Sequence, residues 1–211
     1  MKTISIIHPT ISARADALER ILAFYEARTP GYRLQFINVL DRPSWPAGYN
    51  AGYPEASGDY IFIGSDDIEP IEGWADAMVG ALERHQLPAS RVWDHTFGIP
   101  EPCGYVPVGD PVHQRADGKP GQVAPFSRAP AFTRELAEQV GPWPEIAYYA
   151  DNWVSDKCRL LGWQPVVTAG YDFVHHWDQR GRLDTVPGGH RAYLGEYNKA
   201  RAALGLGPSS G

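Results

Sequence analysis

The sequence predicts an α/β protein with a mostly parallel central sheet and helices on both faces, and three observations predict it. Within about the first 65 residues the pattern runs strand, helix, strand, loop, strand. The opening strand candidate, TISIIH (3–8), is β-branched and apolar, the mark of a buried strand. Pro9, Asp41 and Asp66 each stand at the end of a strand candidate, where ligands gather in parallel sheets.

Each element has its own justification. Pro9 follows TISIIH and stops the ladder there. Ile11, Ala15, Leu18, Leu22 and Tyr25 recur at three- and four-residue spacing, with Arg14, Glu19, Arg20 and Glu26 on the other faces, which describes an amphipathic helix. The turn signal Thr29-Pro30-Gly31 precedes LQFINVL (34–40), a second strand ending at Asp41. A Pro/Gly-rich connection, RPSWPAGYNAGYPEASG, leads to the third strand, DYIFIG. Trp74, Met78 and Leu82 mark a further helix.

From about residue 88 to 130 Pro and Gly recur every few residues and no element is assigned; such a stretch suits a substrate-covering segment. FTRELAEQVG (132–141) and DNWVSDKCRLLG (151–162) read as helices ending in Gly. QPVVTAG and YDFVHHW read as late strand segments, and a closing helix over about 189–204 carries Tyr193, Tyr197 and Ala200 on one side. The terminal GLGPSSG reads as a flexible tail. The whole, 1–211, reads as one domain in two halves, about 1–87 and about 88–211.

Totals narrow the function classes. With 19 basic against 25 acidic residues and a formal charge of −6, the balance argues against a surface built mainly for nucleic-acid phosphates but leaves room for a local basic groove. Cys103 and Cys158 have no CxxC spacing, so neither a disulfide framework nor a cysteine zinc site is indicated. The first residues, MKTISIIHPT, hold an apolar run too short for a signal peptide, and no stretch approaches the ~20 apolar residues that cross a bilayer; the expectation is a soluble, cytoplasmic protein without a transmembrane segment.

The chemistry concentrates in GDYIFIGSDDIEP (58–70). Asp66 and Asp67 repel one another at a strand exit and need a cation, hydrogen-bond donors or water. A hard divalent ion, Mg²⁺ or Mn²⁺, takes oxygen ligands and leaves room for substrate phosphates. The same spacing also suits an N-cap of a following helix.

In order along the chain, SIIHPT, FINVLD, AGYNAG and GDYIFIGSDD resemble the nucleotide-sugar-binding half of family 2 glycosyltransferases of the GT-A fold, a Rossmann-like sandwich. That family shows an opening strand, an acidic end to the second strand, an N-x-G turn and a DxD-type motif. The resemblance implies that the Pro9-Thr10 turn and Asp41 bracket the nucleoside, with Asp41 receiving the base. It also implies that Asn50 and Gly52 shape the wall near ribose and phosphates, that Asp67 binds metal, and that Asp66 contacts ribose or metal. The first acid of a full DxD falls here at Ser65.

The second half, APFSRAPAFTRELAEQVGPWPEIAYYADNW, is similar to the family's acceptor-side segment, whose acidic residue at a helix start corresponds to Asp151. An inverting transfer needs a base that takes the proton from the acceptor hydroxyl, and a carboxylate near a helix N-terminus can serve; a plain helix cap fits the same position. The resemblance, by its spacing, favours His175 as the third metal ligand. Residues adjacent on a strand face opposite sides, so at most one of His175 and His176 reaches the metal, and a hydrogen-bonded core histidine is the other reading of each. His8 reads as structural. Arg180 and Arg182 in DQRGRLD would meet diphosphate charge or lie as a solvated run. Trp143, Tyr148, Tyr149 and Trp153 are candidates for an acceptor platform or for packing.

The resemblance implies transfer from a nucleotide-diphosphate sugar, a uridine one by preference, to an acceptor hydroxyl of a saccharide, lipid-linked glycan, protein or modified nucleic acid, with Mn²⁺ or Mg²⁺. Two other readings stand beside it. One is a non-catalytic nucleotide-sugar-binding relative. The other is a nucleotidyltransferase, against which HPTISARAD counts because it holds one Arg and no Gly where a Gly-rich basic loop is wanted.

Overall fold

A computed structural model describes residues 1–94, 101–102, 129–146, 149–176 and 193–209, with backbone only at 91–94, 101–102, 167 and 175. The elements are β1 (Thr3–Thr10), α1 (Ala15–Ala27), β2 (Arg33–Leu40), α2 (Trp45–Gly52), β3 (Tyr60–Ile63), β4 (Ile68–Pro70), α3 (Trp74–Glu83), β5 (Gln86–Asp94), β6 (Glu101–Pro102), β7 (Ala131–Thr133), α4 (Arg134–Val140), α5 (Ala150–Leu160), β8 (Gln164–His175) and α6 (Leu194–Ala203). The first sheet runs β2-β1-β3-β7 and is parallel except for β7. A second runs β4-β8-β5-β6, with β5 and β8 parallel and β4 antiparallel to β8.

Strand alternation places helices on both faces of the first sheet. Ile7, Ile37 and Val39 share one face, where they lie under Gly52 of α2. His8 and Phe62 share the other, where each packs against Tyr25 of α1 at ring-centroid distances of 5.5 and 5.7 Å. Phe62 also meets Trp74 of α3 at 4.8 Å and stacks on Phe173 of β8 at 5.7 Å. One core therefore joins β3 of the first sheet to β8 of the second. All four aromatics are fully buried, and truncating any of them to alanine is expected to cost ~3–5 kcal/mol.

Four sequence expectations change. β1 continues through Pro9 to Thr10, so these two residues form a strand end and not a turn. Proline is tolerated because Ile7 accepts from Gly64 on the β3 side, so the nitrogen two residues on faces the same side, past the last β1–β3 pair at Ile7 and Ile63. The supposed N-x-G turn is the helix α2. Ser44 caps it, accepting from the Ala47 N–H at 3.2 Å, and Pro46 sits in its first turn. Its glycines are packing devices: a Cβ on Gly48 would lie 2.5 Å from Pro9 Cβ, and one on Gly52 would lie 2.8 Å from both Ile7 and Val39 methyls.

The third change is at residue 88, where strand β5 runs on through Pro88. There, among the described residues, β5 has β8 on one side only, since β6 pairs no earlier than Trp93. Fourth, the tail is tied back as far as Ser209, whose N–H donates to Asn198 Oδ1 at 2.8 Å while Arg201 Nε donates to the Gly207 carbonyl at 2.9 Å. No helix among the described residues is long and apolar enough to cross a membrane.

Candidate functional site

The short link between β3 and β4 carries Ser65, Asp66 and Asp67 at the carboxyl end of the parallel sheet. Asp66 is 3% exposed. Thr10, at the end of β1, donates its hydroxyl to Asp66 Oδ2. Arg14, on the single 3₁₀ turn after β1, donates to Asp66 Oδ1 at 2.9 Å and lies 3.6 Å from Asp67 Oδ2. Ser65 Oγ donates to Asp67 Oδ1 at 2.5 Å. Burial pushes the Asp66 carboxyl above its ordinary range and the neighbouring charge of Asp67 adds to this, while the Thr10 hydroxyl and Arg14 pull it back.

Neither aspartate caps a helix, because β4 follows directly and α3 starts after Gly73 with no side-chain cap. The donors around the pair answer part of its electrostatic problem: two carboxylates share one guanidinium, which leaves about one negative charge uncompensated by that cation.

The end of β8 is delivered to the same place. His175 stands opposite Ile68 in the antiparallel ladder, and the His176 N–H donates to the Asp67 carbonyl at 2.7 Å. The His176 ring is engaged elsewhere, its Nε2 lying 2.6 Å from Glu69 Oε2, and Arg28 donates to the other Glu69 oxygen and to the Pro70 carbonyl. His176 is thus held in a charged cluster with Glu69 and Arg28. The side chain of His175 lies outside the described residues, as do Tyr148, Arg180 and Arg182.

Asp41 is exposed at the end of β2, in a left-handed backbone conformation with φ of 53°. Its carboxylate accepts from the Ser12 hydroxyl and, at 2.8 Å, from the Ser12 N–H. These bonds, the hydroxyl first, hold it below the usual carboxylate range. Asp41 therefore pins the turn that carries Arg14. Asn50 is spent on architecture, its carboxamide exchanging two hydrogen bonds with the backbone of Trp143. Gly52 lies against the sheet, as described above.

Asp151 occupies the first turn of α5, two residues after Tyr149, which holds the N-cap position with φ of 67°. It is a first-turn acid favoured by the helix dipole, and not the cap. The aromatics nearby are mostly packing. Trp143 is 2% exposed and sits between Trp45 and Tyr49 at 5.2 and 4.5 Å. Trp153 is buried and donates to the Ala200 carbonyl at 3.2 Å. Tyr149 keeps partial exposure but stacks on Tyr197 at 5.1 Å.

The structure thus gathers Thr10, Asp66, Asp67 and the β8 end at one corner, and places Asp151 on another element. Sequence reasoning missed Arg14, which it assigned to the polar face of a helix. Its signal was a lone cation four residues past the strand end. A scan against models of known protein families finds no match, and a search of curated proteins finds none either.

Proposed function

We propose that this chain is a GT-A-type glycosyltransferase that moves a sugar from a nucleotide-diphosphate donor, a uridine one by preference, to an acceptor hydroxyl with inversion. The observation that carries the reading is the corner itself: Asp66 and Asp67 side by side at the carboxyl end of a parallel sheet, with the end of β8 hydrogen-bonded to Asp67. The order of the four sequence stretches named above supports it.

The donor set suits a hard divalent ion. Two carboxylates and two hydroxyls, from Asp66, Asp67, Thr10 and Ser65, lie within hydrogen-bonding distance of one another in pairs, an all-oxygen set of the kind Mg²⁺ and Mn²⁺ prefer. Asp67 and Asp66 would hold the ion, with His175 as the third ligand. When bound, such an ion supplies positive charge to the departing diphosphate. Thr10 and Ser65 orient the two carboxylates, Asp41 fixes the turn beside the nucleoside, and Asp151, in the first turn of α5, takes the acceptor proton.

A second reading has its own observation. Arg14 already supplies a cation to the aspartate pair, as a non-catalytic nucleotide-sugar-binding protein without metal would require. Calorimetry with uridine diphosphate, with and without Mn²⁺, together with a donor screen that follows release of nucleoside diphosphate, separates the two. Metal-dependent binding with donor turnover supports the transferase; metal-independent binding without donor hydrolysis supports the binding protein.

A further inference from the structure

Among the described residues Arg14 is a cation lying against the aspartate pair, and its position is unusual for a surface arginine. The Arg14 side chain is 13% exposed and that of Asp66 is 4% exposed, so the pair is largely withdrawn from water. The guanidinium spans both aspartates, at 2.9 Å from Asp66 and 3.6 Å from Asp67. It does so from a backbone that is fixed at two points. The Arg14 N–H donates to the Ile11 carbonyl at 2.9 Å, and Ser12, two residues earlier, is bound to Asp41 through its N–H and its hydroxyl. The turn is held while the long side chain retains its rotatable bonds.

A guanidinium and a divalent ion cannot both lie against Asp67 without strong like-charge repulsion in a partly dry site. The carboxylates, however, are held by other donors too. Thr10 remains on Asp66 and Ser65 remains on Asp67, so the departure of Arg14 leaves both acids oriented.

Resting on the metal-binding reading above, we infer that Arg14 is an exchangeable counter-ion. It offsets about half of the Asp66–Asp67 charge before metal arrives, gives way when a divalent ion binds, and then meets the donor diphosphate, whose oxygens a guanidinium fork can take in pairs. Arg14 would thereby couple the two binding events: the empty site does not stand as a bare acidic pair, and the released guanidinium becomes a diphosphate ligand when the metal is in place.

The test uses the full chain as wild type, Arg14→Gln, Arg14→Lys and Asp67→Asn, with circular dichroism to establish folding. Free Mn²⁺ is counted by electron paramagnetic resonance without nucleotide, and uridine diphosphate is then titrated at saturating Mn²⁺. Arg14→Gln is expected to bind Mn²⁺ about tenfold more tightly than wild type, and uridine diphosphate about tenfold more weakly, each the order of one charge-assisted interaction. These opposite shifts are what a merely structural arginine would not produce. Arg14→Lys keeps the charge but not the fork and is expected to shift Mn²⁺ affinity the same way by less, which serves if the glutamine variant does not fold.

Equal or weaker Mn²⁺ binding in both Arg14 variants, with binding lost in Asp67→Asn, overturns the exchange and leaves the metal site standing. Tighter Mn²⁺ binding with unchanged uridine diphosphate affinity overturns the delivery of Arg14 to the diphosphate. No Mn²⁺ binding to any of the four proteins overturns this inference and the metal-dependent reading together.

Discussion

Asn50 and Trp143 are locked to each other: the Asn50 Nδ2 donates to the Trp143 carbonyl and the Trp143 N–H donates to Asn50 Oδ1, both at 2.8 Å. The residue expected to line a ribose instead clamps α2 to the segment between α4 and α5. Asn50→Ala leaves a backbone donor and acceptor unpaired beside a buried indole, at a cost of ~2–3 kcal/mol. Urea unfolding should show the loss, while uridine diphosphate affinity of the folded variant stays within about twofold. A large drop in affinity at unchanged stability would return Asn50 to the nucleotide wall.

His8 makes stability depend on pH. It is fully buried, neither ring nitrogen has a hydrogen-bond partner among the described residues, and burial pushes its pKa down to about 3. The folded value lies below the unfolded value of about 6.5, so the unfolded chain takes up the proton first. The neutral ring is no penalty above that value, and stability falls at up to ~1.4 kcal/mol per pH unit as pH drops from about 6.5 towards the folded value. Between pH 6.5 and 5 wild type should therefore lose ~2 kcal/mol more than His8→Leu in urea titrations. Parallel slopes for the two proteins would mean that the ring is protonated or paired in the fold.

Much of the first sheet was readable because parallel, doubly covered strands are written as apolar runs. TISIIH, LQFINVL and DYIFIG all form strands close to where the pattern placed them. The position of Asp66 and Asp67 at the end of the third strand was readable for the same reason, but their spacing suited a helix cap equally well, and only the fold shows that β4 follows directly. What escaped was set by long-range contact. Helix α2 is hidden by its glycines, which composition reads as loop and the fold uses to bring the backbone against Pro9, Ile7 and Val39. Strand β4, only three residues long, is defined by pairing with Phe173, Val174 and His175. The burial of Trp143 and Trp153 was equally illegible, because the same residue types serve as core and as stacking surface.

Asp67 is the sharpest test of the corner. Asp67→Asn keeps size and shape, and Ser65 retains an oxygen to bond, so the melting temperature should change little. Metal-stimulated uridine diphosphate binding should disappear, a loss of at least ~100-fold in Mn²⁺ affinity being usual when a charged ligand oxygen becomes an amide. Undiminished stimulation by Mn²⁺ would remove Asp67 from the site.

On the transferase reading, Asp151 is the residue that separates binding from chemistry. Asp151→Asn is expected to leave donor affinity near that of wild type and to slow transfer by at least ~100-fold, the usual consequence of losing a general base. Single-turnover kinetics with a bound donor read the two quantities apart. Transfer at the wild-type rate would assign the proton to another group.

The antiparallel pairing of β4 with β8 ties the aspartate corner to residues that come far later in the chain; His176 and Glu69 are 107 positions apart. During synthesis, Asp66 and Asp67 leave the ribosome long before the strand that walls them in, and β8 is the strand with which β4 pairs among the described residues. An interrupted or nicked molecule would carry the acids on an unpaired, three-residue strand and nothing to set their distance from β8. The late strand makes the corner a property of long-range pairing, so a growing chain cannot assemble it before β8 has folded.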